Sequence, residues 1–234
     1  FTRLDAAAAA LVRARAVFQR YRASVLAAAC EGRLVATEAE LARAEGRAYE
    51  PGENKNGTQS TASLPEGWAM RTVGELCSVE TGATPLRSRM DFYGGNIPWV
   101  TSGALNRPFV DGADEYITDL AISQTNAKVF PVGTVLVAMY GEGKTRGKAS
   151  ELRIAAATNQ ACAALRFKEA IESSKPYVKL FLQKHYQDLR RTSSGGVQPN
   201  LNLSLVRSIG VPLPPLAEQH RIVAEVERRL SLVE

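Results

Sequence analysis

The residues with the most recognisable chemical pattern are Gly141-Glu142-Gly143-Lys144-Thr145, just after the apolar run Thr134-Val135-Leu136-Val137-Ala138-Met139. With Ala138 in the leading position they fit a loose phosphate-loop pattern. Such a loop works by opening a helix whose N-terminus receives the phosphate. Here Arg146-Gly147-Lys148-Ala149-Ser150 comes next, a poor helix start, and no apolar strand ending in Asp follows. The same residues suit a strand-to-strand loop that presents Tyr140, Lys144, Arg146 and Lys148. Glycine lets a backbone approach a ligand closely, and cations attract phosphates. An exposed hairpin loop without a ligand is the plainer alternative.

Other chemistries leave weaker traces. Metal-assisted hydrolysis needs clustered acids and a lysine. Asp111, Asp114 and Glu115 are close, but no acid-x-Lys strand accompanies them, so they read as a solvated acidic loop. Amino-methyl transfer needs a polar-Pro-Pro-aromatic loop. Pro214-Pro215 is flanked by Leu213 and Leu216 instead. His185 and His220 have no metal-ligand spacing to each other or to the cysteines. The sequence therefore assigns no catalytic residue, no metal and no cofactor.

Binding residues are more plentiful. Arg87 and Arg89 follow Thr81-Gly82-Ala83-Thr84-Pro85, and each can fork a guanine or a phosphate. Ordinary solvated surface is the competing reading. Ile97-Pro98-Trp99 reads as a buried strand end, and Thr101, Ser102 and Asn106 just beyond it can hydrogen-bond base edges. Asn159-Gln160 precedes another apolar strand, as turn residues or DNA contacts. Ser193 to Asn200 is the favoured DNA segment. Ser194, Gly195 and Gly196 supply a close-approaching backbone, and Gln198 and Asn200 carry the amides suited to adenine. Arg190 and Arg191 stand before it. The competing reading is a mobile connector.

Composition agrees without deciding. The chain has 234 residues, 45% of them hydrophobic, enough for a core, with net charge +5 and pI near 9.2. A basic balance suits an acidic polymer, though many basic proteins bind none. Cys30, Cys77 and Cys162 are scattered and odd in number, which suggests reduced thiols and a cytoplasmic setting. No apolar run approaches the ~20 residues that span a bilayer. The chain opens at Phe1, mid-helix, which reads as a piece of a longer protein.

The elements that must position these residues can be outlined. Leu4, Leu11, Phe18 and Val25 recur every seven residues, and Ala7, Ala14, Tyr21 and Ala28 form a second row three positions on. That is the seam of a coiled coil along one helix over 1–34, ended by Gly32. Arg3, Arg13, Arg15, Arg20, Arg22 and Arg33 line it, as a solvated face or as contacts to DNA backbone or a partner. Thr37-Glu38-Ala39-Glu40 is a capping box for a short helix to about Glu45. Residues 50–63 lack apolar content and read as a flexible linker.

Strands are expected near Cys77–Thr81, Ile97–Thr101, Thr134–Tyr140 and Ala161–Phe167, among Gly, Pro and Asn turns. A helix over Lys175–Arg191 carries Val178, Leu182 and Leu189, with Ser174 as its cap. Val211–Pro215 reads as a stiff connector and Leu216 as a helix start, with Ile222, Val226, Leu230 and Val233 on one face. The fold class is α+β: a small mixed domain over 64–214, a long helix and short capping helix over 1–49, and the start of a second long helix over 215–234.

Taken with Gly94-Gly95-Asn96-Ile97-Pro98-Trp99, Thr158-Asn159-Gln160-Ala161, the 193–201 segment and Val211-Pro212-Leu213-Pro214-Pro215-Leu216-Ala217-Glu218-Gln219-His220-Arg221, the chain resembles the specificity subunit of type I restriction-modification enzymes. The resemblance implies a target recognition domain that reads one half of a split double-stranded DNA target. It also implies two antiparallel spacer helices that separate two such domains and dock methyltransferase subunits, with a restriction subunit joining. Arg229–Glu234 resembles what would precede Phe1–Asp5, as in a parent with two similar halves or a half-length subunit that pairs with itself. A helical scaffold that binds protein is the alternative. It predicts an exposed apolar patch where a DNA reader has converging cations. A nucleotide-dependent enzyme built on Gly143-Lys144-Thr145 is a third reading.

Overall fold

Alanine, leucine and arginine fill residues 2–30, and these strong helix formers make one helix, α1 (Thr2–Cys30). It ends at Cys30, with the expected terminator Gly32 just beyond it. Gly32 takes a φ of +70°, and a Cβ there would lie 2.6 Å from Pro65 Cγ. The capping box is formed: the Glu40 N–H donates to Thr37 Oγ1 at 3.2 Å, and the Thr37 N–H donates to the Glu40 carboxylate at 2.8 Å. It opens α2 (Glu38–Ala44). The computed structural model describes residues 2–49, 64–140, 147–192 and 201–231; side chains of residue 2 and residues 187–192 lie outside that set.

Short elements follow in order: β1 (Ala69–Thr72), α3 (Val73–Leu76), β2 (Cys77–Thr81), β3 (Tyr93–Val100), β4 (Phe109–Val110), β5 (Glu115–Ile117) and α4 (Asp119–Gln124). Then come β6 (Val129–Phe130), β7 (Val135–Ala138), β8 (Ala149–Leu152), β9 (Ala156–Thr158), β10 (Cys162–Phe167), α5 (Lys175–Thr192), α6 (Leu203–Ser208), β11 (Gly210–Leu213) and α7 (Leu216–Ser231). Three expectations change. Val211–Pro215 is not merely a connector, because β11 pairs with β1 in a two-stranded sheet, where every strand is an edge and Pro212 is tolerated. Ser174 does not cap α5; a 3₁₀ turn, Glu169–Ser174, runs straight into it. Glu115 does not sit in a loop but in β5.

The chain divides into two units, 71–211 and the pair of segments 1–70 and 212–234. The first holds two mixed sheets, ordered β2-β10-β7-β8-β4 and β5-β3-β9-β6. Most pairings are antiparallel, but β3 runs parallel to β9 and β4 to β8. One buried cluster takes Val100, Phe130 and Ala156 from the smaller sheet and Leu136, Ala138, Leu152, Cys162 and Ala164 from the larger. A second gathers Phe92, Trp99, Ile117, Ala121, Ala127 and Ala157. β9 carries Ala156 and Ala157 and β10 carries Ala163 and Ala164, all fully buried. α5 is tied to β8: Lys179 pairs with Glu151, and Lys175 lies 3.4 Å from it, all three side chains under a fifth exposed. Burial pushes the Glu151 carboxyl up, but the two ammoniums outweigh it and hold it below its ordinary value.

The helical unit turns on Glu218, in the first turn of α7 and fully buried. It accepts the Trp68 indole N–H at 2.8 Å and the Glu38 backbone N–H at 3.0 Å. Burial pushes this carboxyl above its ordinary value, against those donors and the nearby Arg221. Gly32, at the end of α1, lies against Trp68, and Tyr21 acts on Arg228 of α7. The two helices therefore run antiparallel. Val25, Leu26 and Ala29 are buried there, whereas Leu4, Leu11 and Phe18 are 77%, 72% and 48% exposed. Among the described residues no helix is long and apolar enough to cross a membrane.

Candidate nucleic-acid interface

Register brings five of the candidate residues, Thr101, Ser102, Asn106, Tyr140 and Lys148, to one end of the 71–211 unit. In the larger sheet Thr81 opposes Ala163, Cys162 opposes Ala138, and Val137 opposes Ala149. The exits of β2 and β7 thus lie beside the starts of β10 and β8. In the smaller sheet Val100 pairs with Thr158, so β3 and β9 exit together. Gly82 ties the two exits: a Cβ there would stand 1.9 Å from the Thr158 carbonyl oxygen, closer than any side chain allows.

The loops are fixed by their own polar groups. The Thr84 hydroxyl donates to Gln160 Oε1 at 2.6 Å, and Asn159 Oδ1 accepts from the Ala161 N–H at 3.1 Å. Asn159 is therefore a turn residue, while Gln160 is exposed. Thr101 and Ser102 are half-buried at the exit of β3. Asn106 donates to the Gly103 carbonyl at 2.6 Å and accepts from Lys148 Nζ at 2.7 Å, joining the loops after β3 and before β8. Backbone bonds from Gly147 N to Ala138 O (2.7 Å) and Ala138 N to Lys148 O (3.0 Å) close the hairpin that carries Tyr140. Tyr140 is 39% exposed. Gly147, at φ +81°, packs against Tyr186 of α5, the helix whose backbone continues through Arg191.

Arg87 and Arg89 are not brought together. Arg87 forks Glu115, which opposes Trp99 near the exit of β3. Arg89 turns to Asp91, Phe92 and Gln124 of α4. Each arginine's hydrogen bonds hold its partner's carboxyl below the ordinary value, and each carboxylate raises its arginine. Lys144, Arg146, Ser194, Gly195, Gln198 and Asn200 lie outside the described residues, as does the Arg191 side chain.

Two residues were passed over in the sequence. Arg107 is an exposed cation beside Asn106, and its adjacency to that amide was the available signal. Leu86, 64% exposed beside Arg87, suits a thymine methyl. Cys77 and Cys162 are buried thiols pushed up to about 12, and no described group of three His, Cys, Asp or Glu side chains could hold a metal ion.

A family model described as the type I restriction modification DNA specificity domain matches residues 65–228. The chain is similar to the MjaIX type I restriction enzyme specificity subunit of Methanocaldococcus jannaschii, 24% identical over 177 residues, covering 73% of this chain and 40% of that protein. It is 25% identical over 162 residues to the EcoR124I/EcoR124II specificity subunit of Escherichia coli, covering 68% and 40%. It thus spans about two fifths of the length of these curated relatives. Among solved structures, the HsdS subunit from Thermoanaerobacter tengcongensis shares the fold at a TM-score of 0.60 and 20% identity, over 99% of this chain and 48% of that one. A chain from a study of type I R-M complex assembly and conformational transition gives 0.58 and 25%, over 99% and 51%.

Proposed function

This chain belongs to the type I restriction modification DNA specificity domain family, and on that premise we propose that it reads one half of a bipartite double-stranded DNA target and performs no chemistry itself. The observation that carries this is the convergence of strand exits. Thr101, Ser102, Asn106, Tyr140 and Lys148 reach one end of two sheets, with Gln160 and Thr84 between them. Such a rim combines cations for phosphates with amides and hydroxyls for base edges. Phosphate contacts supply most of the affinity and its salt dependence, and base contacts supply specificity. Lys144, Arg146, Arg191, Ser194, Gly195, Gln198 and Asn200 are further candidates by residue type alone, and Arg87 and Arg89 serve the turn after β2.

The helices serve as spacer and dock. α1 has 29 residues; at 1.5 Å per residue it spans roughly 43 Å, more than a turn of DNA. Its exposed Leu4, Leu11 and Phe18 keep the seven-residue spacing of a coiled-coil seam and call for a further helix, from a second half of the parent or a second copy. The helices then offer a surface for methyltransferase subunits, with the restriction subunit joining in the cytoplasm. A protein-binding scaffold is less favoured, because the described rim residues are mainly polar, with Tyr140, Leu86, Met90 and Tyr116 among the exposed apolar side chains.

The test is selection from a random duplex library with the methyltransferase partner present. A short motif should be enriched, and it should be lost when Gln198 and Asn200, or Asn106 and Lys148, are changed to Ala. Two copies at fixed spacing would mark self-pairing. Binding that only decays with salt, with no motif, would sink the proposal.

A further inference from the structure

The two arginines of the turn between β2 and β3 are gripped differently, and the difference gives them different abilities. Arg87 meets Glu115 end-on: Nη1 donates to Oε2 and Nη2 donates to Oε1 at 3.1 Å. Its guanidinium carbon lies 4.7 Å from the Tyr93 ring centroid and 5.0 Å from that of Trp99. A guanidinium carries five N–H donors in a planar fork. An end-on grip leaves its side edge, Nε–H with the remaining Nη2–H, pointing away from the carboxylate. Among the described residues nothing accepts from that edge, and the side chain is 56% exposed. Arg89 meets Asp91 side-on, through Nε at 2.8 Å and Nη2 at 2.6 Å, and Nη2 also reaches Gln124 Oε1 at 3.4 Å. The edge that Arg87 keeps open is the one Arg89 has already used.

We propose that Arg87 reads a single guanine in the major groove through this free edge, and that Glu115 is its positioning residue. Two parallel donors match the O6 and N7 acceptors of guanine. A phosphate is the poorer fit: Glu115 offsets the guanidinium charge, and its negative charge repels an anionic phosphate more strongly than a neutral base edge. Glu115 is itself held by the β3–β5 ladder opposite Trp99. Carboxylate and rings fix the long side chain before DNA arrives, so less freedom is lost on binding. Sequence spacing hides the pair, since the partners are 28 residues apart.

The inference rests on the DNA-reading function proposed above, and the experiment separates the two. Duplexes are selected with the full chain and its methyltransferase partner. Each guanine of the enriched motif is then replaced by 7-deazaguanine, which lacks N7. One replacement should weaken wild-type binding roughly tenfold and leave binding by Arg87→Ala no weaker. Glu115→Gln should reduce discrimination at that guanine alone, with little change in thermal midpoint, and Arg87→Lys should not restore it. The wild-type scan and Glu115→Gln decide the matter even if Arg87→Ala fails to fold. If every guanine tolerates loss of N7, or if the Arg87 and Glu115 variants weaken all sequences evenly, Arg87 is a brace or a phosphate contact and the proposal falls. The enriched motif then leaves the DNA-reading function standing. A library that yields no motif removes both.

Discussion

Glu218 in the helical unit is buried and Glu151 in the sheet unit is half-buried, and the two carboxylates are held in opposite ways. Glu218, in the helical unit, is surrounded by uncharged donors, the Trp68 indole and the Glu38 backbone N–H. Glu151, in the sheet unit, sits between the ammoniums of Lys175 and Lys179. The first arrangement fixes directions, because a carboxylate with two separate N–H donors sets where α7 begins relative to α2 and Trp68. The second fixes a charge balance that fastens α5 to β8. Their pKa values move accordingly, Glu218 above the ordinary value and Glu151 below it.

The largest effect is expected at Glu218. Changing it to Ala removes the acceptor of one buried and one part-buried N–H and should cost about 3 kcal/mol in a urea titration, whereas Gln should cost about 1, since it keeps one oxygen. Equal costs for Ala and Gln would mean that charge, not geometry, holds the site. Glu151→Ala comes next, at about 2 kcal/mol, less than for a fully buried pair because the lysines are partly wetted. If Glu151→Gln matched wild type, the charge account of that site would be wrong.

Acidity sharpens the contrast. Glu151 binds protons more weakly when folded, so its contribution is complete above its unfolded value of about 4.3 and is lost as pH falls through the lower folded value. Glu218 binds protons more tightly when folded. Its contribution is complete below about 4.3 and is lost as pH rises through the raised value. Stability measured against pH should therefore flatten above pH 4.3 in Glu218→Gln and below it in Glu151→Gln; a swap of those two windows would overturn the assignment. The smallest effect is expected at the surface. Arg153, 3.4 Å from Asp111 and 3.7 Å from the Phe109 ring centroid, is more than half exposed. Its change to Ala should cost about 0.5 kcal/mol by thermal unfolding.

What the sequence discloses follows the range of the interactions. The Thr37–Glu40 box and the end of α1 at Gly32 are local, and both are legible. β7 and β10 are apolar enough to declare themselves. β4, β6 and β9 have two or three residues, too few for an alternating pattern, and Ala156-Ala157-Thr158 has no strand-like composition at all. β9 and β4 are strands because β3 and β8 lie alongside in parallel, and β6 because β9 lies antiparallel to it, pairings made across long stretches of chain. The candidate site divides the same way. Cations and amides could be picked out by type, but the Arg87–Glu115 grip and the Asn106–Lys148 link depend on register and had no local signal. Glu115, grouped by sequence with Asp111 and Asp114, belongs instead to Arg87.

The close approach of Gly82 to Thr158 has a consequence for anyone wishing to retarget such a protein. The turn after β2, the segment after β3 and the hairpin between β7 and β8 all begin beyond a strand end, so each can be exchanged as a cassette while the ladders stay intact. Gly82 is the exception. With Thr158 O only 1.9 Å from where a Cβ would stand, a graft of the β2–β3 turn must start after it, at Ala83. Transplants that keep Gly82 should fold with the parent's stability, and those that replace it should be recovered mainly as misfolded chain, whatever sequence they were meant to read.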